Sequence, residues 1–148
     1  MKRICLFAFG ICIFGILFGC AHQADRATAS AWLQMKKTGA ASDVSGNWQG
    51  PQSGWGLYGL MPFGTIILVQ QEGQLNGNWS DQEVIGAVSK DEIYLVSIYK
   101  GSAQYTFHLK LTPKQDALLG KYCKGFDPEV KDGCDSISLI KIEKVIFR

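Results

Sequence analysis

The feature that most constrains this chain is a succession of short β-rich segments separated by turn residues, which begins near Ser45. The segments are rich in β-branched and aromatic residues, which favour strands. The breaks between them carry typical turn residues, such as Glu72-Gly73, Lys100-Gly101 and Thr112-Pro113. The predicted strands are one around Trp48 and the segments 64–71, 74–80, 83–89, 92–99, 103–111, 117–123 and 135–145.

Alternation within these segments predicts how the strands are arranged. In the segment 103–111 one face is polar, and the other consists of Tyr105, Phe107, Leu109 and Leu111. Many short strands with short connections indicate an antiparallel meander. A meander of this size avoids exposed edges by closing on itself. The sequence therefore predicts an all-β fold: an eight-stranded antiparallel up-and-down meander that closes into a small barrel.

A short unit, glycine followed two positions later by a large apolar residue, recurs along the predicted strands. It occurs at Gly46-Asn47-Trp48, Gly77-Asn78-Trp79, Gly86-Ala87-Val88 and Gly120-Lys121-Tyr122. Both members of a unit lie on the same strand face. Glycine relieves crowding where a small barrel bends tightly, and the neighbouring aromatic fills the space. We interpret the repeat as a packing device with Trp48 and Trp79 as barrel plugs, in preference to a duplicated binding site.

The motif Gly46-Asn47-Trp48 at the start of the first strand resembles the G-x-W motif that opens lipocalin barrels. The second glycine-x-aromatic unit, at Gly77-Asn78-Trp79, is similar to the pattern of avidin-type barrels, so the resemblance is to the calycin group over residues 45–145. This resemblance implies a small closed barrel and the binding of small apolar molecules.

The connection 49–63, "QGPQSGWGLYGLMPF", is the longest between predicted strands and interleaves glycines with large apolar residues. Lipocalins also have a long first loop that overhangs the pocket. We expect the connection to form a lid or wall of a ligand cavity, with Trp55, Tyr58, Met61 and Phe63 as ligand-binding residues. The alternative is an additional strand or a plug packed into the barrel.

The N-terminal segment has the pattern of an export signal. Lys2 and Arg3 precede the uncharged, apolar run 4–19, which is shorter than the roughly 20 residues of a membrane-spanning helix. Its end, Leu17-Phe18-Gly19-Cys20, resembles the bacterial lipobox, which implies removal of residues 1–19 and lipidation of Cys20. Ala21 in place of Asp implies the outer membrane, with the chain facing the periplasm. The alternative is an uncleaved N-terminal anchor.

Residues 20–44 are predicted to carry the lipid anchor and a short helical tether, ahead of the barrel domain at 45–148. Asp25 is a candidate helix cap, and Gly39 is a candidate helix end. Trp32 and Lys36 share one side at helical spacing. The favoured interpretation is a tether between lipid and barrel; the alternative is a helix that lies on the membrane surface through Trp32.

Two cysteines remain for the exported domain, Cys123 and Cys134, and an even pair in an oxidising compartment predicts a disulfide. It would close the loop "CKGFDPEVKDGC" and contribute about 3 kcal/mol in the chain-entropy model. The alternatives are free thiols or a metal site. The acidic residues of this segment lack the spacing of an EF-hand, which favours a solvated loop over a calcium site.

Charge and motifs argue against several functions. Without Lys2 and Arg3, thirteen basic residues face thirteen acidic ones, and no basic stripe indicates nucleic-acid binding. The sequence has no G-x-S-x-G, phosphate-loop or H-E-x-x-H motif. Of the two histidines, His22 lies beside Cys20, and His108 falls on a polar strand face. We therefore expect no catalytic activity, no cofactor and no metal.

Three functions are compatible with these features. The first is a lipid-anchored envelope barrel that binds a small, mostly apolar ligand. The second is a periplasmic protein-binding module of the lysozyme-inhibitor or protease-inhibitor type, with the disulfide loop as its contact element. The third is a structural envelope lipoprotein without a pocket. An interior filled by Trp48, Trp79, Phe107 and their neighbours would contradict the first.

Overall fold

A computed structural model describes residues 24–38, 41–50, 64–130 and 133–142. It contains one helix, α1 (Arg26–Lys36), and eight strands. The strands are β1 (Gly46–Gln49), β2 (Thr65–Gln71), β3 (Gln74–Trp79), β4 (Gln82–Ser89), β5 (Glu92–Tyr99), β6 (Ser102–Leu111), β7 (Ala117–Lys124) and β8 (Asp135–Ile142). Each strand pairs antiparallel with the next, and β8 pairs with β1. The predicted fold class, an eight-stranded up-and-down barrel, is confirmed.

Tight turns set the register of neighbouring strands. At Glu72-Gly73 and at Lys100-Gly101 both central residues have positive φ angles, of 49° and 77° in the first turn and 50° and 82° in the second. Two successive positive φ angles are the requirement of the two-residue hairpin turn whose twist matches that of the strands.

We call the end of the barrel where β1 begins the lower end, and the end where β1 finishes the upper end.

The interior of the barrel is filled by side chains of the described residues. Trp48, Trp79 and Phe107 are all buried in one cluster that every strand joins. The other buried members are Val44, Ile66, Leu68, Leu75, Val84, Val88, Ile93, Leu95, Leu109, Leu111, Leu118, Ile137 and Leu139. Between the described residues the barrel is a packed core, as small barrels with large inward side chains tend to be.

Three glycines of the recurring unit, Gly77, Gly86 and Gly120, lie where neighbouring strands approach each other closely. A Cβ atom on Gly77 would collide with the carbonyl oxygen of Ile67, and one on Gly120 would collide with the carbonyl oxygen of His108. Backbone atoms of a neighbouring strand cannot move aside without breaking the ladder. The unit therefore serves packing, and the aromatic two positions later lies inside the barrel at Trp79 and partly so at Tyr122.

Helix α1 packs on the outside of the barrel. Asp25 caps it, since its side chain accepts a hydrogen bond of 2.8 Å from the backbone N–H of Thr28. Its buried residues Trp32 and Leu33 join a second apolar cluster with outward residues of β4, β5 and β6, namely Ile85, Ala87, Val96, Ile98 and Ala103. The helix is thus a structural part of the domain, where the sequence had indicated a tether ahead of it.

The position of Trp32 tests the alternative that this helix lies on a membrane surface. Trp32 is only 6% exposed, so its ring faces the barrel and not a membrane surface. Within the described residues, no helix has the length and apolar character needed to cross a bilayer. The helix that begins after Asp25 was predicted correctly. The side of this helix that carries Trp32 faces the barrel.

Residues 41–45, which lead into β1, pack against the lower end of the barrel. Val44 is buried there, and its carbonyl accepts a hydrogen bond of 2.9 Å from the indole N–H of Trp48. Its backbone N–H donates to Oε1 of Gln70 at 2.9 Å. The single N–H donor of the Trp48 indole is therefore paired with the backbone of the segment that leads into β1.

Candidate binding surface at the disulfide loop

The loop between β7 and β8 is held by a covalent link at its base. Cys123 and Cys134 form a disulfide, with their Cα atoms 4.7 Å apart, as the sequence predicted. Cys123 is buried, and the carboxylate of Asp127 is close to both sulfurs. Since disulfide sulfurs are not thiolates, this group cannot bind a metal as a thiolate site in the bonded state.

After the disulfide, the chain folds back over the outer face of β6. The hydroxyl of Thr106 donates to the carbonyl of Gly125 at 2.8 Å and accepts from the backbone N–H of Asp127 at 3.0 Å. The backbone N–H of Gly125 donates to the carbonyl of Gln104 at 2.6 Å. Thr106 is fully buried by this arrangement. The loop therefore lies on the wall of the barrel, beside α1, and not on its rim.

Phe126 fixes the loop to the helix. Its ring meets that of Trp32 edge to face, with ring centroids 5.6 Å apart. Trp32 meets Tyr94 of β5 in the same way, at 5.8 Å. An edge-to-face pair adds about 0.5 to 1.5 kcal/mol to the free energy gained from burial. Phe126 thus anchors the loop in the second apolar cluster.

The tip of the loop is shaped by Asp127. Its side-chain oxygen accepts hydrogen bonds from the backbone N–H groups of Glu129, at 3.0 Å, and of Val130, at 3.2 Å. This is the turn that Asp residues favour by bonding the backbone two residues on. Pro128 and Glu129 are exposed at the tip. The described part of the loop is held at its base, middle and tip, so it presents one defined surface.

A polar cluster lies on the outer face of β5 and β6, separated from Phe126 by the ring of Trp32. Nε2 of His108 is 2.5 Å from Oε2 of Glu92, and the hydroxyl of Tyr94 donates to the same oxygen at 3.1 Å. The rings of Tyr94 and His108 stack with centroids 4.6 Å apart. The hydrogen bond from His108 holds the pKa of Glu92 below its ordinary value. These contacts hold the outward side chains of the β5–β6 hairpin in one arrangement.

Helix α1 contributes a cation to the same face. Nζ of Lys36 lies 5.2 Å from the centre of the Tyr94 ring and 5.7 Å from that of Trp32. A cation over an aromatic face is stabilised by about 0.5 to 1 kcal/mol at exposed sites. Lys36 therefore helps to hold the helix against β5.

At the lower end, an open depression of about 440 Å³ is lined by Ala41, Asp43, Ser45, Gln70, Glu72 and Gly73. Three of its polar side chains, those of Asp43, Ser45 and Gln70, accept hydrogen bonds from backbone N–H groups. The Ser45 hydroxyl accepts from the backbone N–H of Gln70, and Asp43 accepts from the backbone N–H of Ser45. The hydrogen bonds from Ser45 lower the pKa of Asp43. These hydrogen bonds stabilise the entry of the chain into β1.

The predicted site residues divide into three groups. Trp48 and Trp79 lie inside the barrel, and Cys123 and Cys134 form the base of the loop. Cys20 and the predicted ligand-binding residues Trp55, Tyr58, Met61 and Phe63 lie outside the described residues. Sequence reasoning missed Thr106 and Phe126. Phe126 offered a signal, because it is the only aromatic residue in an otherwise polar loop.

Comparison of the chain with protein-family models, with curated proteins and with solved structures found no match. The functional argument therefore depends on the geometry of the chain itself.

Proposed function

We propose that this chain is a lipid-anchored protein of the bacterial envelope that binds another protein through its disulfide loop. The loop surface comprises residues 123–130, with Pro128 and Glu129 exposed at its tip. The observation that carries the proposal is the way this loop is fixed, through the disulfide, Thr106 and Phe126. No catalytic step is part of the proposal.

The packed interior favours a protein partner over a small apolar ligand. The calycin resemblance implied a ligand inside the barrel, but the described residues fill that space with Trp48, Trp79, Phe107 and their neighbours. A drug-sized ligand needs a concave site of at least about 300 Å³. An apolar guest would therefore have to displace core side chains, at the cost of the stability that they provide.

A fixed loop favours tight association. Ordering a flexible side chain at an interface costs about 0.5 to 1.5 kcal/mol, and ordering of backbone adds to this. In this chain the cost is met during folding, since Gly125 and Asp127 are already bonded to Thr106. A partner that fits the loop does not have to order it. Rigid inhibitory loops of lysozyme inhibitors and protease inhibitors have the same advantage, and this class is the one we propose.

The compartment is supported by the N-terminal sequence and by the cysteines. The segment ending at Leu17-Phe18-Gly19-Cys20 resembles a lipobox, and disulfides persist in oxidising compartments such as the periplasm. We place the lipid on Cys20 and the barrel on the periplasmic side of the outer membrane. The test of the lipid is metabolic labelling with a fatty-acid analogue; labelling that persists in Cys20→Ser would contradict this location of the anchor.

Site-specific photo-crosslinking in living cells tests the function directly. A photo-reactive amino acid replaces Glu129 at the loop tip, and the matched control replaces Ser138, which is exposed on the outer face of β8. We expect a discrete adduct from position 129 alone, and its loss in the Cys123→Ser/Cys134→Ser variant. Equal adducts from both positions, or an adduct that survives loss of the disulfide, would contradict binding by the loop.

Inhibition assays then test the class of partner. The purified chain is added to a lysozyme and to a serine protease, and residual activity is measured. We expect inhibition of one enzyme that is weakened by Pro128→Ala or Glu129→Ala. If the crosslinked partner is a protein of another class and neither enzyme is inhibited, the binding proposal stands and the inhibitor class is wrong.

A further inference from the structure

The disulfide at the base of the loop has an acidic neighbour. A side-chain oxygen of Asp127 and the Sγ atoms of Cys123 and Cys134 all lie within 4.8 Å of one another. The disulfide itself carries no charge. Negative charge reaches the sulfurs only when the bond is reduced, because both the attacking and the leaving group are thiolates. The position of Asp127 therefore matters for the rate at which thiols reduce the bond.

The loop holds the Asp127 carboxylate in this position. Its Oδ1 accepts hydrogen bonds from the backbone N–H groups of Glu129 and Val130. The backbone N–H of Asp127 donates to the hydroxyl of Thr106, which is fully buried. Turning the carboxylate away from the sulfurs would break the bonds to Glu129 and Val130. Since aspartate is ionised at neutral pH, the sulfurs have a fixed negative charge beside them.

The two sulfurs differ in their access to solvent. Cys123 is 7% exposed, whereas Cys134 is partly exposed, so an incoming thiol reaches Cys134 first. Its thiolate sulfur forms a bond to Cys134 Sγ, the Cys123–Cys134 bond breaks, and the electron pair of that bond leaves on Cys123 Sγ. A second thiolate then attacks the reagent's sulfur in the mixed disulfide. This step frees Cys134 and releases the reagent as its own disulfide, and both protein thiolates can take protons from water.

The first of these steps is the one that the carboxylate opposes. The attacking thiolate brings negative charge toward Cys134, and the leaving thiolate develops on Cys123 in a buried position. Burial and a nearby like charge both disfavour a thiolate. Lys124, the next residue along β7, is directed to the opposite face of the strand from Cys123. Asp127 therefore raises the barrier to reduction.

We propose that Asp127 protects the loop disulfide from reduction by anionic thiols, the class to which glutathione belongs. The carboxylate repels the incoming thiolate and destabilises the thiolate that leaves on Cys123. The loop therefore keeps its covalent link in the presence of thiols that would otherwise open it. This property goes beyond the proposed binding function, since the rate of reduction can be measured whatever the loop binds.

Asp127→Asn tests the proposal, because it removes the charge and keeps an oxygen that can accept from Glu129 and Val130. The full chain is reduced with cysteamine, 2-mercaptoethanol or glutathione, whose thiolate forms are increasingly negative. Reduction at Cys123 and Cys134 is followed by alkylation and mass spectrometry. We expect the variant to be reduced by glutathione about fourfold faster than the wild type, the effect of one unit charge at this distance in water. The gain should be smaller with 2-mercaptoethanol and smallest with cysteamine, and about 1 M salt should diminish it.

Two control variants separate charge from loosening of the loop. Phe126→Ala releases the loop from Trp32 without changing a charge, so it should speed reduction by all three thiols by the same factor at any salt concentration. Glu129→Gln removes a carboxylate at the exposed tip and should change each rate by less than about twofold, since exposed charges are screened. If Asp127→Asn does not fold with its disulfide formed, Asp127→Ser takes its place, because a serine hydroxyl can accept in the same kind of turn.

Two results would overturn the proposal. The first is a rate of reduction by glutathione that is unchanged or lower in the Asp127 variant. The second is an equal acceleration with all three thiols that persists at high salt, as expected for Phe126→Ala. That result would show that Asp127 acts on the disulfide only by shaping the loop.

Discussion

Phe126 and Trp32 meet edge to face, with their ring planes at 88° and their centroids 5.6 Å apart. This contact joins the disulfide loop to a helix that precedes the barrel in sequence. Phe126→Ala should lower the free energy of unfolding by about 1 to 2 kcal/mol, since a partly buried ring and one aromatic pair are lost. It should also speed proteolysis of the loop. Urea unfolding and limited proteolysis measure the two effects.

Met35→Ala is the control for that change. Met35 belongs to the same helix but is 73% exposed, so its removal should alter the free energy of unfolding by less than about 0.5 kcal/mol. If Phe126→Ala behaves like Met35→Ala and the loop stays resistant to protease, the ring does not anchor the loop.

The disulfide should contribute measurably to stability. Its removal in Cys123→Ser/Cys134→Ser frees the unfolded chain from a short covalent loop, and we expect a loss of about 3 kcal/mol. The urea midpoint of the wild-type chain should fall to that of the variant when a reducing agent is added. An unchanged midpoint under full reduction would argue that the hydrogen bonds of Thr106 hold the loop without the covalent link.

Acid should loosen the helix. Arg26 forms two hydrogen bonds with Glu83, at 2.7 and 3.1 Å, and these lower the pKa of Glu83. A lowered folded-state pKa contributes stability above the unfolded pKa of about 4.3, and that stability is lost as pH falls through the folded value. Both side chains are about half exposed, so we expect only about 0.5 kcal/mol.

The pH dependence of Glu83→Gln tests this pair. At neutral pH the variant should be less stable than the wild type, and the difference should shrink as pH falls below about 4. High salt should shrink it too. Glu72→Gln, at an exposed turn, is the control. A difference that stays constant with pH would mean that packing, and not charge, accounts for the effect of the change.

Gly77 should be intolerant of any side chain. Gly77→Ala places a Cβ against the carbonyl of Ile67, which belongs to the β2 backbone. We expect a loss of at least about 1 to 3 kcal/mol, the usual cost of overpacking, and poor folding in cells. Asn78→Ala, the exposed neighbour, should cost less than about 0.5 kcal/mol. If Gly77→Ala and Asn78→Ala both have unfolding free energies near that of the wild type, the β2 backbone can move enough to accept the added Cβ.

Much of the barrel was predictable because its signals are local. The turn residues and the alternation over residues 103–111 gave both the strands and their inward faces, and the structure has β6 at Ser102–Leu111 with Phe107 and Leu109 inside. Whether such side chains leave a cavity depends on strand tilt and stagger, which are properties of the closed barrel. A prediction about a ligand in the interior requires the tilt and stagger of the strands, and local sequence signals do not give these quantities.

The cluster around His108 was not predictable for a different reason. A plain two-residue hairpin at Lys100-Gly101 would place Tyr94 opposite Phe107. A bulge between Ser97 and Ile98 shifts the register by one residue, so that Tyr94 pairs with His108. Bulges depend on how the strands bend in the closed sheet. Alternation alone placed His108 on the outer face correctly but could not give it Tyr94 and Glu92 as neighbours.

The start of the helix limits how far the barrel can travel. The carbonyl of Ala24 accepts from Ala103 N at 2.9 Å, and Arg26 N donates to the carbonyl of Gly101 at 3.1 Å, so the chain is held to the barrel from residue 24 onward. With the lipid on Cys20, as proposed, only four Cα steps remain, a leash of about 15 Å. With so short a connection to the lipid, the barrel would stay within a thin layer next to the bilayer. The turn at Lys100-Gly101 then stays nearest to the headgroups, and the loop on the wall faces sideways, toward neighbours that share the same membrane.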